Sequence, residues 1–229
     1  MKEAIVLAGG MGRRLRQVVP DLPKPMAPVA GRPFLEILLD SLIRKGITRI
    51  ILSLGFMADK IMDRFGDSYR DIELRYVVEN TPLGTGGAVR LAMTQSVQDH
   101  VFVFNGDTYL DLEDEELERH WALHRNPVIV GREVPDTARY GRLITSGGRV
   151  IGFTEKGVSG SGLINAGCYI LNRGQLDTFP LDVPFSLETD FFPSAVQEQR
   201  VDLFVTRGHF IDIGIPEDFA RAQTELAGC

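Results

Sequence analysis

Cysteine is scarce in this 229-residue chain, which has two, Cys168 and Cys229. They are far apart and neither sits in a CxxC or Cys/His cluster, which argues against a disulfide framework and a thiolate zinc site. Cys168 runs into Tyr169-Ile170-Leu171 and reads as a buried, inert thiol. Long apolar runs are missing as well. No window approaches the roughly 20 apolar residues of a membrane span. Residues 1–7 are too short an apolar stretch for a signal peptide before the chain meets a glycine turn. Positive charge is in deficit: Lys+Arg 25 against Asp+Glu 31 gives a net charge of −6. An acidic chain without a basic tract is a poor nucleic-acid binder. The expected setting is a reducing cytoplasm, with no nucleic-acid or membrane partner. Any phosphate bound here has to be held by a few placed cations.

What is present suits a packed α/β protein. Hydrophobic residues make up 44% and charged residues 24%, too apolar for disorder. A chain of this mass is expected to expose roughly 10,000 Å² when folded and to bury about 70% of its surface. The apolar run 4–8 ends in Gly9-Gly10, the pattern of a buried parallel strand feeding a loop. Strands are predicted over 49–54, 74–78 and 101–104, alternating with helices over 34–45, 57–65 and 86–96. Repeated βα units imply a parallel sheet covered on both faces. The later chain predicts strands over 128–134, 142–144, 150–154 and 163–171, with Gly147-Gly148 as a hairpin signal. A helix over 187–199, a strand over 201–205 and a terminal helix from Pro216 complete the pattern. Nothing reads as a linker or repeat, so one α/β domain over 1–229 is expected. Ligands of such sheets bind beyond the carboxyl ends of the strands.

The candidate residues fall there. After the first strand comes Gly9-Gly10-Met11-Gly12-Arg13-Arg14-Leu15, whose glycines allow close backbone approach to an anion. Neither the dinucleotide fingerprint G-x-G-x-x-G nor the P-loop G-x-x-x-x-G-K-[ST] is present. Pro23 and Pro25 restrict the backbone on both sides of Lys24. Leu83-Gly84-Thr85-Gly86-Gly87 leads from the third strand into a helix, where a planar base could lie on bare backbone; close helix–strand packing explains the same glycines. Asn105-Gly106-Asp107 ends the fourth strand, where an aspartate serves as a turn residue or as a magnesium ligand. Asp212 sits between two isoleucines, an unusual setting for a casual surface charge. The acidic run 113–118 reads as a solvated helix face.

Taken in order, these segments resemble the sugar-1-phosphate nucleotidyltransferases. The resemblance runs nearly end to end, adding Tyr140-Gly141, Glu155-Lys156, Asn165-Ala166-Gly167, Ser186-Leu187-Glu188 and Asp212-Ile213-Gly214. Within that family the chain is most similar to the short D-glycero-α-D-manno-heptose 1-phosphate guanylyltransferases, through residues 24–28, 82–88 and 212–219. The resemblance implies a Rossmann-like three-layer fold with a mixed, mostly parallel central sheet. About 1–110 would bind the nucleotide and about 111–229 the sugar phosphate. It implies Mg²⁺ as cofactor, GTP and a sugar 1-phosphate as substrates, and attack of the sugar phosphate on the α-phosphorus with loss of pyrophosphate. Catalysis would then be neutralisation and positioning.

The same resemblance implies the roles. Gly9, Gly10 and Gly12 would cradle the triphosphate, with Leu7, Pro82, Gly84 and Thr85 around the nucleotide. Arg14 would hold the β/γ-phosphates, Lys24 the reacting phosphate, and Asp107 and Asp212 the metal. Lys156 would take the sugar phosphate, with Gly141, Glu155, Asn165 and Glu188 against the sugar. Arg13 stands where this family commonly has threonine, and reads as pointing to solvent. Glu79 ends the third strand where relatives read the base. A carboxylate accepts from both N1–H and the 2-amino group of guanine, which favours GTP over UTP or dTTP. A mannose-1-phosphate guanylyltransferase and a uridylyl- or thymidylyltransferase remain alternatives, and a homo-oligomer stays open. A non-catalytic regulatory subunit would be expected to have lost charged residues, yet Arg14, Lys24, Asp107 and Asp212 are all present.

Overall fold

The computed structural model describes residues 1–12, 14–15 and 18–229. The expectation for Arg13 lies outside the described residues. Strand β1 (Lys2–Leu7) is followed by the short hairpin β2 (Pro28–Val29) and β3 (Arg32–Pro33), then by α1 (Phe34–Arg44). Next come β4 (Ile47–Leu54), α2 (Ala58–Phe65), β5 (Ser68–Tyr69), β6 (Ile72–Val78), α3 (Gly84–Ala92) and β7 (His100–Asn105). The later chain forms β8 (Thr108–Leu110), α4 (Asp114–His124), β9 (Val128–Val134), β10 (Leu143–Ser146), β11 (Arg149–Phe153) and β12 (Gly162–Asn172). It ends with α5 (Phe192–Glu198), β13 (Val201–Thr206), β14 (Phe210–Asp212) and α6 (Pro216–Glu225).

Ten strands form one sheet in the order β10-β11-β13-β9-β12-β7-β1-β4-β6-β5. β7, β1, β4 and β6 are mutually parallel, as the βα pattern requires, and β13 runs parallel to β9. β5, β11 and β12 run against the other strands, which makes the sheet mixed. Side chains alternate across it with a period of two. Ala4, Val6, Ile50, Leu52, Phe102, Phe104, Val128 and Val130 join one core cluster, with residues of α1, α2, α4 and α6. Ile5, Ile51, Val103 and Ile129 join the other, with residues of α3 and α5. The result is three layers, helices on both faces of the sheet, and each fully buried aliphatic side chain contributes about 1.5–3 kcal/mol. The exposed surface is 10,501 Å², close to the expectation from mass.

Several boundaries differ from the sequence reading. The helix expected over 187–199 divides into a wide turn, Leu187–Phe191, and α5. Pro193 cannot donate to a preceding carbonyl, and the wider turn absorbs the missing bond. Gly147 and Gly148 do form a hairpin turn, both with positive φ (56° and 71°), between β10 and β11. Glu113 is not a solvated charge: it accepts from the Thr206 hydroxyl (2.5 Å) and the Arg207 N–H (3.1 Å). Cys168 is buried, and burial lifts its thiol well above the ordinary range.

One topological point positions everything that follows. From β1 the chain moves outward to β4 and β6, then returns to β7 on the other flank of β1. The loops after β1 and β7 therefore diverge and open a crevice at the carboxyl edge, the switch point where open α/β sheets bind ligands.

Candidate functional site

At that switch point the backbones come close together. The Gly106 N–H donates to the Leu7 carbonyl at 2.9 Å, and a Cβ on Gly106 would lie 2.5 Å from that oxygen. Glycine is the residue that lets the β7 turn close over β1. Gly12 has φ +57°, and a Cβ there would meet Lys24 Cβ at 2.9 Å. That position therefore needs glycine both for its backbone and to admit the lysine. The Gly9 carbonyl accepts from the Phe56 N–H at 3.2 Å, while no backbone bond consumes the N–H of Gly9, Gly10 or Gly12 among the described residues.

A cleft of about 530 Å³ lies over this edge. Leu7, Gly9, Gly10, Gly12, Glu79, Pro82, Gly84, Thr85 and Asp107 all line it, so the structure gathers nine of the expected nucleotide contacts. Glu79 Oε2 accepts from the Leu83 N–H at 2.8 Å, and Oε1 abuts Gly9. Burial raises the Glu79 carboxyl above its ordinary range, with the Leu83 N–H opposing. One oxygen of Glu79 is thus partly committed to the chain itself, which leaves Oε1 as the freer acceptor.

Lys24 begins a single tight turn, Lys24–Met26, in which the Met26 N–H donates to the Pro23 carbonyl at 2.8 Å. Its ammonium donates to Asp107 Oδ2 and lies 3.9 Å from Asp212 Oδ1. Asp212 arrives by a route that sequence periodicity does not reveal. The three-residue strands β14 and β8 pair so that Asp212 faces Thr108, and the Ile213 N–H donates to the Asp107 carbonyl at 2.9 Å. The Gly214 N–H fixes Asp212 Oδ1 at 2.7 Å. Burial raises the Asp212 carboxyl, Asp107's negative charge raises it further, and Lys24 opposes both. Two carboxylates thus face one ammonium, leaving a local charge of −1. This all-oxygen acceptor set suits a hard divalent cation.

The expected sugar contacts divide into two groups. Glu188 is drawn to the cleft wall: Oε2 accepts from the Thr85 hydroxyl (2.6 Å) and the Ser186 hydroxyl (2.9 Å). Its Oε1 accepts from the Tyr169 hydroxyl at 3.0 Å, and that hydroxyl accepts from Asn165 Nδ2 at 2.8 Å. Asn165 Oδ1 in turn holds the Gly167 N–H at 2.9 Å. Tyr169 was missed by the sequence reading, because in an apolar strand it looks like core. Gly141, Glu155 and Lys156 do not line the cleft. Gly141 packs on the Thr154 carbonyl, and Glu155 and Lys156 are exposed beyond β11. Arg14 is exposed past Gly12 and ion-pairs with no described residue. Another recess, of about 490 Å³, opens at the amino end of β1, where Lys2 is already paired with Asp114 and Glu118.

Comparison with known proteins follows the same lines. A family model described as "Nucleotidyl transferase" matches residues 3–228. The chain is 40% identical over 225 residues to a D-glycero-alpha-D-manno-heptose 1-phosphate guanylyltransferase of Aneurinibacillus thermoaerophilus, covering 98% of each. It is 34% identical to a mannose-1-phosphate guanylyltransferase of Mycobacterium tuberculosis, covering 98% of this chain and 64% of that one. Among solved structures, HddC from Yersinia pseudotuberculosis complexed with GMP-PN superposes with a TM-score of 0.88 at 40% identity. That match covers 98% of this chain and 99% of HddC.

Proposed function

The chain belongs to the nucleotidyl transferase family, and from that premise we propose that it transfers GMP from GTP to a sugar 1-phosphate. D-glycero-α-D-manno-heptose 1-phosphate is the favoured acceptor, giving GDP-heptose and pyrophosphate for surface polysaccharide synthesis in the cytoplasm. The carrying observation is a switch-point cleft lined by glycines whose N–H groups no backbone bond consumes among the described residues, and by Asp107, which ion-pairs with Lys24, itself 3.9 Å from Asp212. Near-full-length similarity to heptose 1-phosphate guanylyltransferases supports the substrate pair.

Both reactants are polyanions, so the barrier is largely electrostatic. A sugar-phosphate oxygen attacks the α-phosphorus, the bond to the β-phosphate oxygen breaks, and pyrophosphate leaves with the electron pair. The attacking oxygen is already ionised at neutral pH, so no general base is required. Gly9, Gly10 and Gly12 offer backbone N–H groups to the triphosphate, and Lys24 reaches the reacting phosphate. Exposed Arg14 is free to swing onto the β- and γ-phosphates. Glu79 reads the guanine edge, with Leu7, Pro82, Gly84 and Thr85 around the nucleoside. Nucleotidyl transferases of this family commonly use a divalent metal, and Asp107 and Asp212 would hold Mg²⁺. When bound, it offsets charge on the phosphate oxygens. Residues of about 1–110 carry these nucleotide contacts. Residues of about 111–229 carry the acceptor: Glu188 and Asn165 at the cleft wall, Gly141 and Glu155 beside the sugar, Lys156 on its phosphate.

A pyrophosphate-release panel tests this reading, crossing GTP, UTP, dTTP, CTP and ATP with heptose-, mannose- and glucose-1-phosphates. GTP with the heptose is expected to give the highest kcat/KM. Preference for UTP or dTTP would overturn the assignment of the base, and preference for mannose the assignment of the sugar. One methylene-sized difference discriminates by about 1–3 kcal/mol, so the mannose arm is the sensitive one.

A further inference from the structure

Helix α4 presents His120 and His124 four residues apart, on one face. Beside that face is Asp202 of β13, whose side chain is fully buried. His120 Nε2 lies 3.7 Å and His124 Nδ1 3.9 Å from the same atom, Asp202 Oδ2. One ligand atom from each of the three residues falls within 4.8 Å of the others. His120 Nε2 is buried and has no hydrogen-bond partner among the described residues. A buried polar nitrogen left unpaired is costly, and an unseen ion is one standard reason for it. None of the three residues lines the nucleotide cleft.

We propose that His120, His124 and Asp202 form a second metal site, which takes a divalent transition-metal ion of the zinc type. Two imidazoles and one carboxylate are a borderline donor set that prefers Zn²⁺, Co²⁺ or Ni²⁺ to Mg²⁺. Zinc bonds to nitrogen and oxygen are about 2.0–2.2 Å, so the three donor atoms, now within 4.8 Å of one another, must draw closer together. Side-chain rotation on one helix face supplies that movement. His124 Nδ1 gives up a 3.1 Å contact with the His120 carbonyl. The carboxylate is already oriented: Arg200 Nε donates to Oδ1, and Asn126 Nδ2 donates to Oδ2 at 3.1 Å. Such outer contacts hold metal-ligating carboxylates in place. Arg200 also offsets the buried charge when no ion is bound. The His124 side chain is 44% exposed, so water can take the fourth position. The ion then staples the carboxyl end of α4 to β13.

The test titrates the full chain with Co²⁺ under excess Mg²⁺, which fills the all-oxygen site without competing for imidazole. One Co²⁺ per chain is expected, with the intensified visible bands of tetrahedral coordination. Zn²⁺ at about 100 times its Kd should raise Tm by about 5–10 °C. His124→Ala, at a partly exposed position, should lose both responses and keep its metal-free Tm and its nucleotidyl transfer. Absence of the Co²⁺ spectrum from the unaltered protein would overturn the proposal, as would equal Co²⁺ binding by His124→Ala.

Discussion

Lys24 occupies a position that a cation must fill, between Asp107 and a carboxylate whose ionisation burial already disfavours. Asp107 is the more dispensable of the two acids for folding, since its backbone carbonyl, not its side chain, receives the Ile213 N–H. Asp107→Asn is therefore expected to keep Tm near that of the unaltered protein. Turnover with GTP and Mg²⁺ should fall by about 10²-fold or more, the scale of a lost transition-state charge contact. Near-normal turnover in steady-state pyrophosphate release would remove Asp107 from the metal assignment. At this scale much of the candidate site was legible, because Gly9, Glu79 and Asp107 fall within two residues of the ends of recognisable strands and Thr85 lies in the glycine-marked start of a helix. Lys156 and Arg14 were legible as residues but not as contacts, since both are exposed and their reach depends on a ligand.

Elements shorter than a periodic repeat carry no pattern, and two of them decide the site. β8 and β14 are three residues each, and their pairing, extended by the Ile213 N–H to the Asp107 carbonyl, brings Asp212 to Asp107. The longer elements were readable from alternation and glycine or proline punctuation, with boundary errors such as Leu143–Ser146 where 142–144 was expected. The link between α3 and β12 escaped sequence reading for another reason. Thr85, Glu188, Tyr169 and Asn165 form one hydrogen-bonded chain, yet Tyr169 is spaced as an ordinary core residue. Tyr169→Phe leaves Glu188 Oε1 and Asn165 Nδ2 without their partner. The expected cost is about 1–3 kcal/mol in urea unfolding, together with a rise in KM for the sugar phosphate and little change for GTP. An unchanged KM for the sugar phosphate would reduce this chain to a purely structural role.

For the whole molecule, the −6 charge gave no hint of a polyanionic ligand, because the site's cations are few and local. Burial is the more general signature. All five tyrosines, Tyr69, Tyr76, Tyr109, Tyr140 and Tyr169, have phenols raised above their ordinary value, with burial the largest cause in each. Burial, then the charge of Asp67, pushes Tyr76 up to about 12. A raised phenol keeps its neutral form in the fold, so this stability is fully present below about pH 10. It is lost as pH rises through the folded values. Tyrosinate absorbance followed alongside the urea midpoint should show no phenol ionising at its ordinary pKa while the fold is intact. A tyrosine that titrates normally in the folded protein would contradict this burial pattern.

Strand β12 pairs with β7 along one side, from Cys168 to Asn172, and with β9 along the other, so one sheet joins the glycine loop after β1 to the strand that carries Asn165. Neighbouring strands stand about 4.8 Å apart, and β12 is two places from β1. The sheet itself therefore sets the strand that carries Asn165 and Tyr169 about 10 Å from the strand that feeds the glycine loop. It is a fixed ruler, cut when the chain folds, between the glycine-lined wall of the cleft and the wall built from Asn165, Tyr169 and Glu188.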